Sequence, residues 1–289
     1  MSGGSNKLYN FINIVVIGVT ALLFIYNYRE ISSVLFEVGL AQFLIIILTV
    51  FFVHLIKAAR LYLAFYGTEL KLSEFLKTYC KVTPVSLIFP YKLGEFFKMY
   101  CYGKGFANPL RGVVIVLLDR FMDTVALVAM ILFVWLFSGG RVTGLVYILL
   151  LVLLLLIMIY YVFPGMFKSW KKYFLSTKAT ERKIAILGML EALNRVYVEV
   201  KRVSEGRGVI MFFMSLIAWG IEIGSVSLQV GWLNSENLNE IVSRYLLAAI
   251  GRGQCKELTC FIFVSIFLML AIYVVLKLGM IFSGKKDNN

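Results

Sequence analysis

Nothing constrains this chain more than its long runs of apolar residues without charge. Residues 142–163 contain an unbroken aliphatic stretch at 149–157, and residues 11–28, 40–66, 113–137, 209–233 and 258–282 form five further apolar segments. About 20 such residues cross the ~30 Å hydrocarbon layer of a bilayer as a helix. Helices satisfy their own backbone polar groups, so they are what such runs form in lipid. With 61% hydrophobic and 16% charged residues in 289, no soluble domain of this size is a plausible home for the sequence. The expected fold is all-α: a single polytopic membrane domain over 1–289, with about six transmembrane helices. The first run has no small-residue cleavage site after it and reads as a retained span.

Two segments fit neither a span nor a loop. Residues 68–106 are moderately apolar, broken by Pro84, Pro90 and Gly94, and dotted with lysines. Irregular backbone at membrane depth is tolerated only where protein or water satisfies it, so a re-entrant hairpin is expected here. Residues 240–257 form a second broken segment, with Arg244, Arg252 and the glycines Gly251 and Gly253. Pro164 and Gly165 are expected to close the fourth span. In the segment 165–208, Ile186, Leu190, Leu193, Tyr197 and Val200 recur at helical spacing, and Glu191 and Arg195 form an i,i+4 pair. This predicts an amphipathic helix lying on the bilayer surface or against the bundle, as scaffold.

The formal charge of +13 sits mostly between the spans. Seven Lys/Arg fall from Lys71 to Arg111 and ten from Lys168 to Arg207, while the opposite connections hold few. This bias places both termini in the cytoplasm. The excess is explained by topology and anionic lipid, and no basic run is interleaved with stacking aromatics, so nucleic acid is not an expected partner. Four cysteines without a CxxC pair and a single histidine exclude a Cys/His zinc site, and no cofactor is expected.

Ionisable residues inside apolar segments mark function by default. Lys92, Glu95 and Lys98 are spaced by three and share a face if a helix begins near Leu93. Pro90 and Gly94 would end one arm of the hairpin and let the next start close by. The new N-terminus would then aim free N–H groups at an anion, with the two lysines adding full charges and a lipid phosphate as the natural ligand. Glu95 would hold the lysines apart in the empty site or take up a proton. The alternative is an ordinary cytoplasmic loop with solvated lysines. Asp119 and Asp123 form an i,i+4 carboxylate pair with Arg120 between them, to be paired with Lys57, Arg60 or Lys92 as a structural network or a functional one. Glu222 is a lone intramembrane acid without a readable partner. His54, one turn before Lys57, reads as a satisfied polar residue or a proton relay.

Three motifs occur in order: Pro90-x-Lys92-x-Gly94-Glu95-x-x-Lys98, then Asp119-Arg120-x-x-Asp123, then Ala218-Trp219-x-x-Glu222. Their order resembles the lysylphosphatidylglycerol synthase transmembrane region, the flippase-like domain family, over roughly residues 10–282. Arg60 also fits its pattern. The resemblance implies a polytopic helical protein of a bacterial or archaeal cell membrane that moves or presents lipids such as aminoacylated phospholipids or polyprenyl-linked sugars. Lysyl transfer belongs to a separate soluble domain of fused members and is not carried over, so no enzyme activity is expected. One departure concerns the second glycine-rich loop of many members, which carries a proline; here Gly251 and Gly253, with Glu257, stand at that place without one. If they are its remnant, the two broken segments form an inverted pair suited to alternating access around a midplane site.

The function expected is therefore a lipid translocase or carrier for an anionic phospholipid or polyprenyl-phosphate headgroup. Lys92 and Lys98 would hold the phosphate; Glu95, Asp119 and Asp123 would neutralise or exchange protons; Arg60 and Arg120 would organise the network, with Glu222 nearby. No GxxxxGK[ST] motif is present to supply ATP-driven transport. Membrane lipids are the expected partners, with a second copy of the chain or a lipid-processing enzyme as protein partners. The rivals are a polyprenyl-phosphate-dependent transferase and a non-catalytic subunit of a lipid or glycan assembly complex.

Overall fold

The computed structural model describes residues 39–68, 70–88, 93–104, 109–138, 144–176, 180–233, 238–249 and 256–286, with isolated helical positions at Val15, Gly18, Leu22 and Ile25. Among the described residues the secondary structure is helical throughout. Nine helices follow in order: α1 Leu40–Phe65, α2 Leu72–Ile88, α3 Leu93–Lys104, α4 Pro109–Ser138, α5 Gly144–Ser176, α6 Glu181–Ser204, α7 Gly208–Leu233, α8 Leu238–Ala249 and α9 Lys256–Lys286.

Four are long and apolar enough to cross a membrane: Ala41–Phe65, Val146–Ser176, Gly208–Ser227 and Leu258–Leu278, in α1, α5, α7 and α9. The chain is an integral, multi-pass helical membrane protein, with four such helices among the described residues where the sequence suggested about six. The expected span at 113–137 is α4, a 30-residue helix carrying Arg111, Asp119, Arg120 and Asp123 in its first half, and it is not one of the four. The remainder of the expected span at 11–28 lies outside the described residues, as do Pro90, Lys92, Gly251 and Gly253.

Two prolines do less than expected. Pro164 does not close a span: α5 continues through it for 33 residues to Ser176, so the start of the 165–208 segment is a helical extension. A proline removes one donor from the ladder, a local loss that long membrane helices tolerate. Pro84 likewise lies inside α2. There the Thr83 hydroxyl donates to the Tyr79 carbonyl (2.7 Å) and the Ser86 hydroxyl to the Thr83 carbonyl (2.9 Å), so hydroxyls on either side of the proline bond back to the preceding turn while the helix runs through it.

The 68–106 segment folds as two short helices packed together. At 1.5 Å per residue, α2 (17 residues) is about 26 Å long and α3 (12 residues) about 18 Å, so neither crosses ~30 Å of hydrocarbon. Glycine sets their spacing. A Cβ on Gly94 would fall on the Ser86 backbone and 2.6 Å from the Val85 carbonyl oxygen. On the other side of α3, a Cβ on Gly112 of α4 would lie 2.7 Å from the Tyr102 carbonyl oxygen and 2.8 Å from Gly103 Cα. Helix α3 is thus held backbone to backbone between α2 and α4, as small residues permit in membrane helices.

Around this wedge, α1 packs on α7 and α9, α4 on α7, and α2 on α9. One apolar cluster joins Leu61 and Phe65 of α1, Phe75 and Tyr79 of α2, Tyr102 of α3, Ile115 of α4, Met211 of α7 and Met269 of α9. A second joins Ala126, Leu127 and Ile131 of α4 to Trp219 and Val226 of α7 and to Tyr245 and Leu246 of α8. On α4 the charged residues Asp119, Arg120 and Asp123 come before the residues of the second cluster, and on α7 Glu222 lies between Trp219 and Val226 of that cluster.

Gly94→Ala and Gly112→Ala are each expected to destabilise the protein by about 1–3 kcal/mol, since backbone rather than a flexible side chain must give way. Gly188→Ala on α6, where a Cβ meets nothing within 4 Å, is expected to be neutral or stabilising. Thermal unfolding of the three variants in mild detergent checks this order.

Candidate functional site

Helical periodicity presents the charged groups to one another. His54, Lys57 and Arg60 are spaced by three on α1; Asp119 and Asp123 are one turn apart on α4; Ser215 and Glu222 are two turns apart on α7. Arg60 and Asp119 are each 2% exposed. The Arg60 guanidinium donates from Nε to Asp119 Oδ1 at 2.7 Å, and from Nη1 to Asp123 Oδ1 at 2.7 Å and Ser215 Oγ at 2.5 Å. Of the three partners open for the aspartate pair on sequence grounds, Arg60 is the one that takes both.

Helix α3 adds the next layer. Lys98 is buried, with Nζ 3.5 Å from Asp119 Oδ2, on the side of the carboxylate that Arg60 leaves free. Glu95, also buried, pairs with the half-exposed Arg120, whose Nη1 lies 4.0 Å from Asp123 Oδ2. Among the described residues Glu95 thus holds an arginine of α4, while Lys98 of its own helix turns to Asp119. The close Gly94 and Gly112 contacts make this reach possible. The order of the motif is conformational: Gly94 seats α3, and the next residues, one turn apart, address α4.

A second ion pair lies one turn earlier on α1. Lys57 Nζ is 2.5 Å from Glu222 Oε1, and the Tyr245 hydroxyl of α8 donates to Glu222 Oε2 at 3.1 Å. The same ammonium stands 5.3 Å from the centre of the Trp219 ring and 5.9 Å from that of Phe261. One turn away, His54 Nδ1 and the Tyr79 hydroxyl are 3.1 Å apart. The acid without a readable partner therefore has two, and Trp219 of the same motif forms part of the wall beside it.

These groups balance. Lys57, Arg60, Lys98 and Arg120 are matched by Glu95, Asp119, Asp123 and Glu222, four charges of each sign. That neutrality lets them share a poorly solvated region, because an unmatched charge there costs several kcal/mol. Bonding capacity remains, however. Glu95 Oε2, Arg120 Nε, His54 Nε2 and Trp219 Nε1 are buried and carry no hydrogen bond among the described residues. Among those residues no cluster of three or more His, Cys, Asp or Glu could hold a metal ion.

Lys57, open on sequence grounds as a partner of the aspartate pair, takes Glu222 instead. The sequence pointed to neither Ser215 nor Tyr245 as part of the site; Ser215 had a weak signal, two turns before Glu222. Tyr245 had none. Pro90, Lys92, Gly251 and Gly253 lie outside the described residues and are not placed.

Residues 10–251 match the model of the family described as the Lysylphosphatidylglycerol synthase TM region, and the chain belongs to that family. No curated protein and no solved structure matches it. The matched region holds α1 to α8, and with them every member of both ion-pair groups; Phe261 of α9 lies beyond it.

Arg60→Ala is expected to cost about 3–5 kcal/mol, because it leaves two buried carboxylates without their main cation. Adding Asp119→Asn and Asp123→Asn is expected to recover part of that loss. Chemical denaturation of the single and triple variants tests the claim, and equal stability of the single variant and wild type would contradict it.

Proposed function

We propose that the chain is a lipid translocase or carrier that handles an anionic headgroup, a phospholipid or a polyprenyl-phosphate-linked glycan, and that it is not an enzyme. The observation that carries this reading is the buried, charge-balanced network that joins α1, α3, α4 and α7 in a family of membrane regions. A protein that only had to be stable would do as well or better with apolar side chains at those positions.

The pairs differ in how readily they exchange. Arg60 holds both aspartates and Ser215 through short bonds and keeps its proton under all conditions, so it acts as the fixed post of the site. Lys98 makes the longer contact to Asp119, and Arg120 is half-exposed beside Glu95. A phosphate arriving at the start of α3 would recruit Lys98 and Arg120, with Lys92 expected beside them. Asp119 would keep Arg60 as its partner. Glu95 would give up Arg120 to the phosphate, so the incoming anion takes over one of the existing ion pairs.

On this reading α2 and α3 form a re-entrant hairpin, both termini are cytoplasmic, and α8 belongs to the second, inverted element. Movement then exchanges the partners of the α3 charges while the α1–α4–α7 frame stays put.

In proteoliposomes, Lys98→Gln with Glu95→Gln is expected to slow transbilayer movement of labelled anionic phospholipid at least about tenfold, the worth of one or two charge-assisted hydrogen bonds. Stability should change little, because Arg60 still holds Asp119. Movement at the wild-type rate would overturn the assignment and favour a non-transporting assembly subunit.

A further inference from the structure

The end of α5 and the start of α6 carry apolar surface that the bundle leaves uncovered. At 1.5 Å per residue the 33 residues of α5 extend about 50 Å, well beyond ~30 Å of hydrocarbon. The excess falls at the C-terminal end, where Lys168, Lys171 and Lys172 follow a charge-free run from Gly144 to Phe167. There Met166, Trp170 and Tyr173, spaced by four and three along one face, are 42%, 50% and 61% exposed. On α6, Ile186, Met189 and Leu193, spaced by three and four, are 41%, 66% and 44% exposed.

This is a fixed unit. Tyr197 of α6 packs on Tyr160 and Phe163 of α5 with ring centres 5.4 Å apart in both cases, while Lys171 Nζ meets Glu191 Oε1 at 2.6 Å. The contacts run in opposite order along the two helices, so α5 and α6 form an antiparallel hairpin, and buried Leu190 helps close it. The six exposed apolar residues are left over after that closure.

We infer that this hairpin docks on anionic lipid headgroups of the leaflet from which α5 emerges. Between Lys168 and Arg207 the sequence has ten Lys/Arg against four Glu and no Asp. A protein partner would favour an apolar centre depleted of lysine. Here lysines alternate with the exposed rings in Lys168-Ser-Trp170-Lys171-Lys172-Tyr173, the arrangement that suits the headgroup layer. Rings and aliphatic stripes insert at the acyl boundary, and the basic residues meet lipid phosphates at about 1 kcal/mol each.

The test uses the full chain in nanodiscs of phosphatidylcholine alone or mixed with phosphatidylglycerol, with hydrogen–deuterium exchange read over residues 166–193. Exchange is expected to slow with phosphatidylglycerol, and to return to the phosphatidylcholine rate in high salt. It should also return in the variant Lys168→Gln/Lys172→Gln/Arg182→Gln, each removed charge weakening the docking equilibrium about fivefold. These three residues are exposed, so an unchanged melting temperature shows that the variant is folded. Equal exchange of the wild type in both lipids would overturn the inference. So would protection that survives the charge removal, or protection that appears only when a second protein is added.

Discussion

Arg60 sits twenty residues into α1, buried among apolar neighbours, with its guanidinium directed at α4 and α7. An arginine in that position cannot shed its proton, and removing it from water costs several kcal/mol unless partners surround it. Asp119 and Asp123 provide two carboxylates from one face of α4, and Ser215 provides an oxygen from α7. Rotating α4 by even one residue would withdraw both carboxylates. The ion pairs therefore fix how α1, α4 and α7 face each other, and the aromatic cluster of Phe65, Phe75 and Tyr102 packs around that alignment at one end.

Given that frame, α3 is the member whose charges are least committed. It is seated by glycine contacts on both sides, and backbone packing rather than ion pairing holds it in place. Its two ion pairs are then free to serve another purpose. Lys98 shares an aspartate that Arg60 already satisfies, and Glu95 meets an arginine with open access. A fixed arginine beside exchangeable partners is what a site needs if an anion is to enter and leave without collapse of the surrounding bundle. The Lys57–Glu222–Tyr245 group repeats the pattern one turn earlier on α1, beside the rings of Trp219 and Phe261.

Much of this was legible in the sequence, because the features concerned are local. The helical class follows from apolar runs, and the shared face of Asp119 and Asp123 from their spacing. The two short arms of the 68–106 segment follow from an apolar stretch that is too charged and too broken to span. What was not legible depends on distant partners: Glu222 is 165 residues from Lys57, and no periodicity connects them. Glu95 was expected among the lysines of its own helix, but the close α3–α4 crossing at Gly112 brings Arg120 nearer. Pro84 and Pro164 were expected to act as breaks, yet each costs only a local bond, and both helices run through.

The central claim is that the α3–α4 charges receive a lipid phosphate, and native mass spectrometry of the purified protein tests it most directly, with wild type beside Lys98→Met. Lys98→Met keeps an unbranched apolar chain out to Cε, removes the ammonium and leaves the Arg60–Asp119 bond in place. A phosphate-bearing lipid is expected to be retained by the wild type and lost from the variant, with both proteins equally folded. Retention of the same lipid by both, or by neither, would contradict it and leave the network as architecture alone.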